Sequence, residues 1–248
     1  MFTDPDQNST PLADCSQCQY KNNLLSEGKC KPGDACVIVE SGRQIDRFFR
    51  HNPGLAENYI DDPFWERRAI VVRYISQKKM LKLVKDTDEA VRRAVAYRIN
   101  VEELHHLIAD PDREVRITVA DRLPSDELEP LIKDPDYYVR TYVARRITPG
   151  RLFSLIRDVD RGVRMTVAER LPLESLALMV SDPEPEIRRI VAKRMDPAGL
   201  VMMIHDPEWV VRYEVAKRIP RSELKLLAED PEPEVREVIE QRMTEECG

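Results

Sequence analysis

Four of the five cysteines in this 248-residue chain lie close together near its amino terminus, as Cys15, Cys18, Cys30 and Cys36. Their spacing is Cys-x2-Cys-x11-Cys-x5-Cys. A Cys-x2-Cys pair places two thiolates on one tight turn, where both can bind the same metal centre. Two further thiolates complete a set of four ligands, which suits either a tetrahedral zinc ion or an iron–sulfur cluster. The cysteines therefore predict a metal site.

The spacing leaves the identity of the metal open. Zinc ribbons usually close with a second Cys-x2-Cys, whereas the second pair here is Cys-x5-Cys. An iron–sulfur cluster is larger and tolerates more varied spacing. Zinc, an iron–sulfur cluster and, as a third alternative, unligated thiols all remain open from the spacing alone. Cys247, near the carboxyl end, is predicted to be a free thiol.

A 24-residue repeat occupies the rest of the chain and must supply the framework for this site. We number positions in each copy from its leading aspartate, which is offset zero. Apolar residues at offsets 5, 9, 10 and 13 lie on one stripe of an α-helix. In the second half, apolar residues three apart suit one α-turn or a 3₁₀ helix. The leading aspartates, predicted to be N-caps, are Asp62, Asp86, Asp110, Asp134, Asp158, Asp182, Asp206 and Asp230.

The pattern predicts an all-α fold in which each copy has a helix of three to four turns followed by a shorter helix. Because each copy is small and the register never slips, the copies should stack as a solenoid without a β-sheet. We expect two domains, a cysteine-cluster domain over residues 1–61 and a repeat solenoid over residues 62–248. The solenoid holds eight copies, of which the last is truncated.

Two rows of arginine run through the repeats. Offset 6 is arginine in all eight copies, and it falls inside the apolar stripe, where an unpaired charge would cost several kcal/mol. We therefore predict that each of these arginines pairs with a leading aspartate, in the adjoining repeat. Offset 12 is arginine in seven copies, at the edge of the stripe. These side chains are expected to expose their charged ends and to be the better candidates for binding an anion.

A short helix is predicted over Ser41 to Arg50, between the cysteines and the first repeat. Its apolar residues, with others that follow, are expected to form a seam that seals the metal domain onto the first repeat. The residues of this seam are Ile45, Phe48, Phe49, Leu55, Tyr59, Phe64 and Trp65.

Composition excludes several classes of function. The net charge of −6 argues against non-specific attraction to nucleic acid or to an anionic membrane. The amino terminus has no signal-peptide pattern and no apolar run reaches bilayer length, so we expect a cytoplasmic protein without a membrane partner. Phosphate-binding loops, nucleophile elbows and zinc-protease motifs do not occur, so neither an enzyme nor a small-molecule substrate is expected. His105 and His106 are adjacent and are expected to diverge as surface residues.

The repeat, Asp-Pro-(Asp/Glu)-x-x-Val-Arg-x-x-Val-Ala-x-Arg-Leu-Pro, together with the four preceding cysteines, resembles the leucine-rich repeat variant proteins. This resemblance implies alternating α- and 3₁₀-helices in a right-handed superhelix. It also implies a 4Fe–4S cluster bound by Cys15, Cys18, Cys30 and Cys36. Such proteins occur in nitrogen-fixing bacteria, but the resemblance implies no activity, because none is established for the family.

Three functions remain open from the sequence. One is a non-enzymatic scaffold that binds a protein partner and carries a structural or redox-sensing cluster. The second is an electron-transfer protein. The third, disfavoured by the acidic charge, is a helical repeat that binds nucleic acid.

Overall fold

The computed structural model describes residues 10–244. In that range it is helical apart from turns, loops and one isolated antiparallel bridge between Lys31 and Ala35. The α-helices are α1 (Gly42–His51), α2 (Trp65–Val71), α3 (Gln77–Met80), α4 (Glu89–Arg98), α5 (Arg113–Arg122), α6 (Tyr137–Arg146), α7 (Arg161–Arg170), α8 (Pro185–Arg194), α9 (Trp209–Arg218) and α10 (Pro233–Thr244). The 3₁₀ helices are Pro53–Tyr59, Val101–Leu107, Glu129–Leu131, Pro149–Leu155, Leu173–Met179, Pro197–Met203 and Arg221–Leu227. A π-helical turn covers Lys21–Leu25.

The chain forms two compact units, Met1–Leu123 and Pro124–Gly248. In the first unit α2 packs against α4 and α4 against α5, and in the second each helix from α6 to α10 packs against the next. The repeated apolar positions form the core, as at Val163, Val167 and Leu171, which are at most 1% exposed. The predicted all-α repeat of alternating α- and 3₁₀-helices without a β-sheet is thereby confirmed for the described residues. The domain boundary at residues 61 and 62 stays a prediction.

Each inner α-helix begins at offset 3, and the residue that caps it stands at offset 2. Asp112 accepts hydrogen bonds from the backbone N–H groups of Glu114 (2.9 Å) and Val115 (3.1 Å). The leading Asp110 instead accepts from the N–H of Asp112, at 2.9 Å, and so fixes the turn before the helix. The prediction that the leading aspartate is the N-cap was wrong, because its carboxylate is held by an arginine of another repeat.

Two repeats depart from the common pattern. The 3₁₀ helix that contains Pro130 has three residues, whereas the other inner copies have seven. Proline has no N–H to donate, so it removes one backbone hydrogen bond from a short helix that has only a few of them. The first repeat has the short α-helix α3 where later repeats have a 3₁₀ helix.

The inner α-helices span ten residues, or just under three turns, which is shorter than predicted.

The offset-6 arginines link neighbouring repeats by ion pairs. Arg188 donates from Nε to Asp206 Oδ2 (2.6 Å) and from Nη2 to Asp206 Oδ1 (2.9 Å). Its Nη1 donates to the carbonyl of Asp182, at 2.8 Å, in its own repeat. Such bidentate pairs combine charge with fixed geometry. The same pairing joins Arg68 to Asp86, Arg92 to Asp110, Arg140 to Asp158, Arg164 to Asp182 and Arg212 to Asp230. The predicted ladder is confirmed at these pairs.

The ladder also fixes the charge state of its members. Burial alone would raise the pKa of Asp230, but the Arg212 guanidinium and the backbone N–H of Glu232 hold that pKa below its ordinary value. A hydrogen bond from its own side chain to Asp230 raises the pKa of Arg212. Both partners therefore stay ionised throughout the neutral pH range.

The offset-12 arginines have a structural role that the sequence did not indicate. Arg170 donates from Nη1 to the carbonyl of Ala144 at 2.6 Å, and Arg194 reaches Ala168 in the same way, also at 2.6 Å. These carbonyls belong to the last turn of the preceding repeat's helix, where backbone acceptors lack partners within the helix. The side chain of Arg170 is half-buried, and burial lowers its pKa. Arg170 and Arg194 thus cap helices, so the expectation of free, exposed charged ends was wrong for them, whereas Arg98 of the same row is exposed as predicted.

Within residues 10–244, no helix is both long and apolar enough to cross a bilayer. The amino-terminal residues 1–9 and Cys247 lie outside the described residues, so the expectations about them stay predictions.

Candidate metal centre

The four predicted ligand residues line one small pocket at the amino-terminal end of the first unit. Tyr20, Val37 and Phe48 supply much of its apolar wall. Cys36 is buried, and the other three cysteines are half-buried. The structure thus brings together four thiols that are separated by up to 21 positions in the chain. Their role as ligands stays a prediction.

Cys15 and Cys18 stand on one turn, as their spacing predicted. The N–H of Cys18 donates to the carbonyl of Cys15 at 3.2 Å. Before this turn the Asp14 carboxylate accepts from both the backbone N–H (2.8 Å) and the hydroxyl (2.9 Å) of Ser16. After it, the N–H of Lys21 donates to the carbonyl of Cys18 at 3.0 Å and leads into the π-helical turn. Local hydrogen bonds therefore fix the turn that carries the first two thiols.

Two glycine turns bring Cys30 and Cys36 to the same pocket. Gly28 has φ of 70° and Gly33 has φ of 76°, a left-handed conformation that glycine adopts without steric cost. A Cβ at Gly33 would also lie 2.8 Å from the exposed methyl end of Leu12, which would have to move aside for a larger residue. The N–H of Cys30 donates to Leu24 at 3.2 Å. The predicted turns near the third ligand are confirmed.

Side chains of α1 and α2 tie the pocket to the helical framework. Asn52, the C-cap of α1, donates from Nδ2 to the carbonyl of Lys29 at 2.8 Å. Arg67 of α2 donates to the carbonyls of Val37 and Ile38, at 2.7 Å each. The N–H of Cys36 donates to the carbonyl of Gln44 in α1, at 3.1 Å. The segments beside the third and fourth cysteines are thus each held by a helix.

Four residues of the predicted apolar seam, Ile45, Phe48, Phe49 and Tyr59, are buried, whereas Leu55 and Phe64 are half-buried. Ile45, Phe48 and Phe49 are at most 1% exposed, and the hydroxyl of Tyr59 lies 2.9 Å from that of Tyr20, which lines the cysteine pocket. Trp65 is 40% exposed, and its ring centroid lies 6.0 Å from that of Phe64. It therefore lies at the exposed edge of the seam and not in its buried part.

The thiols disfavour one another's ionisation. Burial raises the pKa of Cys30, and the neighbouring sulfurs of Cys18, Cys36 and Cys15 raise it further. The pKa of Cys15 is raised for the same two reasons, burial first. Crowded thiolates need a compensating cation, because each negative charge raises the cost of the next. A metal centre supplies that cation and binds the deprotonated sulfur.

A groove between α2 and α4 is the feature that the sequence analysis missed. It has a volume of about 480 Å³ and a floor of small residues, Ala69, Ala90 and Ala94. Its rim carries two exposed aromatic side chains, Trp65 (40% exposed) and Tyr97 (61%). The available signal was the coincidence of alanines at outward offsets with aromatic residues in the same two copies.

Comparison with known proteins agrees with this architecture. Residues 11–58 match the family model described as the LRV protein FeS4 cluster, and residues 113–136 match the leucine-rich repeat variant model. A solved structure described as a leucine-rich repeat variant with a novel repetitive protein structural motif is 57% identical. The match covers 94% of this chain and 100% of that one, with a TM-score of 0.85.

A curated relative matches over a shorter stretch. It is the "uncharacterized 27.7 kDa protein in nifB 3′ region" of Rhodobacter capsulatus, 38% identical over 86 residues. That stretch is 35% of this chain and 35% of the relative, so the comparison spans about a third of the relative's length.

Fold and site together define a helical-repeat protein that carries a four-cysteine domain of the FeS4 cluster type ahead of its repeats. The chain belongs to the leucine-rich repeat variant proteins.

Proposed function

We propose that this protein is a non-enzymatic scaffold that binds a protein partner beside a 4Fe–4S cluster held by Cys15, Cys18, Cys30 and Cys36. The observation that carries the proposal is the groove between α2 and α4, since α2 also binds a segment of the cysteine pocket through Arg67. The cluster would stabilise the domain and could report the redox state to the partner. Four clustered thiols suit a reducing compartment, so we place this function in the cytoplasm.

The groove has the composition of a docking surface. Its aromatic rim and alanine floor offer an apolar slot, and Arg73, Arg93 and Arg98 outnumber the one acid, Glu66. Arg73 is already paired with Asp46 at 2.7 Å, whereas Arg93 and Arg98 form no ion pair within residues 10–244. Aromatic side chains and arginine are the residues that most often anchor protein interfaces. An acidic segment with an apolar anchor would complement this surface.

Helix α2 connects the groove to the cysteine pocket, although the two have no lining residue in common. Trp65 and Glu66 line the groove, and the next residue, Arg67, holds the carbonyls of Val37 and Ile38. Those two residues line the cysteine pocket. A partner bound in the groove would therefore contact the helix that holds this segment of the cysteine pocket.

The test is capture of a partner by the cluster-loaded, full-length protein from an extract of its native host. We expect a protein that binds the wild type but not the variant Arg93→Glu/Tyr97→Ala. Lys225→Glu is the matched control, because it changes one exposed charge on a 3₁₀ helix of the other unit. The Rhodobacter relative is named for the nifB 3′ region, so the host is best grown with and without fixed nitrogen. Equal capture by the groove variant and the wild type would refute this docking surface.

Electron transfer is a second candidate, because three of the four cysteines are half-exposed and not sealed in the core. A cluster near the surface can exchange electrons with a docked protein. Potentiometry of the anaerobic protein decides this point. If the cluster cannot be reduced reversibly in the physiological range, the electron-transfer proposal is refuted and the scaffold proposal remains.

Nucleic-acid binding is the weakest candidate. Most of the arginines that would contact phosphates are engaged, as Arg188 is with a carboxylate and Arg170 and Arg194 are with helix carbonyls. Binding that is lost at moderate salt, measured with duplex DNA and with RNA, would be needed to revive it.

A further inference from the structure

Three side chains on the 3₁₀ helix Val101–Leu107, those of Glu103, His105 and His106, lie close together on the surface. This cluster is independent of the cysteine domain and of the proposed function. We propose that Glu103, His105 and His106 form a surface binding site for a divalent transition metal such as Zn²⁺. One ligand atom from each of the three lies within 4.8 Å of the other two. Two imidazoles and a carboxylate are ligands that zinc and its neighbours in the first transition series accept.

The helix type explains why adjacent histidines meet. Leu104 and Leu107, three positions apart, are at most 1% exposed and anchor one side of the 3₁₀ helix in the core. Glu103, His105 and His106 then share the opposite, outward side. The two imidazole rings lie with their centroids 4.0 Å apart. The expectation that adjacent histidines diverge was therefore wrong, although both are on the surface as predicted.

A backbone carbonyl sets the tautomer of His105. Its Nδ1 lies 2.7 Å from the carbonyl oxygen of Glu102. A carbonyl can only accept, so Nδ1 carries the proton and Nε2 keeps the lone pair that a metal requires. Histidine ligands of metals commonly donate their other ring N–H in this way, to a carbonyl or a carboxylate. In the proposed site this contact would leave Nε2 of His105 as the ligand atom.

The distance between the other two ligands fits a shared ion. His106 Nε2 lies 3.2 Å from Glu103 Oε2. Two ligands about 2.1 Å from one metal are about 3.0 Å apart at a right angle and about 3.4 Å apart at the tetrahedral angle. The observed separation lies between these values. Three protein ligands leave the remaining positions of the ion to water or to a side chain of a partner.

The competing explanation is a plain hydrogen bond from His106 to Glu103 without a metal. Titration of Zn²⁺ into the full-length, cluster-loaded protein under anaerobic conditions separates the two, with heat of binding and zinc content as readouts. We expect one saturable zinc site per chain. His106→Asn and Glu103→Gln should each weaken it at least tenfold, since even the loss of an outer-shell partner costs about 10- to 100-fold.

The chain supplies its own controls. His51 and His205 are isolated surface histidines, so His205→Asn should bind zinc as the wild type does. Circular dichroism confirms that the variants are folded, and Glu103→Gln tests the site while both imidazoles remain. No saturable zinc binding would overturn the proposal. So would zinc binding that is equal in the wild type, His106→Asn and Glu103→Gln, because the zinc would then be bound elsewhere.

Discussion

Removing one arginine of the ladder should reveal how much each buried pair stabilises the stack. In Arg188→Met the carboxylate of Asp206, which is 8% exposed, loses both of its guanidinium bonds and remains buried. Breaking a buried pair from one side costs about 3–5 kcal/mol, because a charge is left uncompensated. For a domain of this size that corresponds to a fall of roughly 6–20 °C in Tm.

The last repeat provides a matched control at the same position. Within residues 10–244, Arg236 donates to the carbonyls of Asp230 and Pro231 and meets no carboxylate of a following repeat. Arg236→Met thus loses carbonyl bonds like those of Arg188 without leaving a charge unpaired. We expect it to cost about 1–2 kcal/mol, as for partly exposed hydrogen bonds to a charged group.

A double variant tests the cause directly. Asp206→Asn keeps an oxygen that can accept from the N–H of Glu208, a bond of 2.9 Å in the wild type. It removes the charge that Arg188→Met leaves behind. The pair of substitutions should therefore be more stable than Arg188→Met alone by about 1 kcal/mol or more.

Urea unfolding of the anaerobic protein, followed by helical circular dichroism, measures all four proteins. Urea is preferred to guanidinium chloride because salt would screen the charges under test. If Arg188→Met and Arg236→Met lose the same small stability, or if Asp206→Asn brings no relief, the ladder does not stabilise the stack as we argue.

Three further predictions follow from the same contacts. Anaerobically purified protein should be brown, and Cys30→Ser should lose iron and colour while Cys247→Ser keeps both; a colourless wild type with stoichiometric zinc would contradict the cluster. Arg170→Met, which removes a carbonyl cap, should cost about 1–2 kcal/mol by urea unfolding and so less than Arg164→Met, which breaks a ladder pair. Because the pKa of Asp230 is lowered in the folded protein, its stabilisation is complete above the unfolded pKa of about 3.9 and is lost as the pH falls through the lowered value. Thermal unfolding between about pH 6 and pH 2 should therefore show a shallower acid limb in Asp230→Asn than in the wild type.

The sequence was sufficient to predict the contacts between repeats, because every copy has an arginine and an aspartate at the same two positions. An arginine inside an apolar stripe has to be paired, and the equally persistent leading aspartate was the obvious partner for it. The ladder followed from Arg164 and Asp182 in this way, before any distance was known. The helix starts did not follow, because an aspartate at offset 0 and an acid at offset 2 are both acceptable caps. What decides between them is the arginine of the preceding repeat, which binds the aspartate at offset 0 and so leaves the residue at offset 2 as the cap.

The cysteine domain and the surface were predictable to different degrees. Cysteine spacing indicated a four-thiol site, and the glycines near Cys30 indicated its turns. The capping role of Arg170 depends on a carbonyl 26 positions earlier, and no local pattern encodes that contact. The convergence of His105 and His106 depends on side-chain rotamers on a 3₁₀ helix, which spacing alone does not fix.

The charges of the framework cancel, and this changes how the net charge should be interpreted. The two arginine rows hold 15 basic residues, and offsets 0 and 2 together hold 15 acids. The remaining 24 basic and 30 acidic residues therefore carry the whole net charge of −6. The remaining surface is acidic, and the groove between α2 and α4 is a local exception to it, with Arg73 and Arg93 against Glu66 even when Arg98 of the offset-12 row is left out. Because repulsion from the rest of the surface would keep an acidic partner away elsewhere, this exception favours its docking beside the cysteine domain.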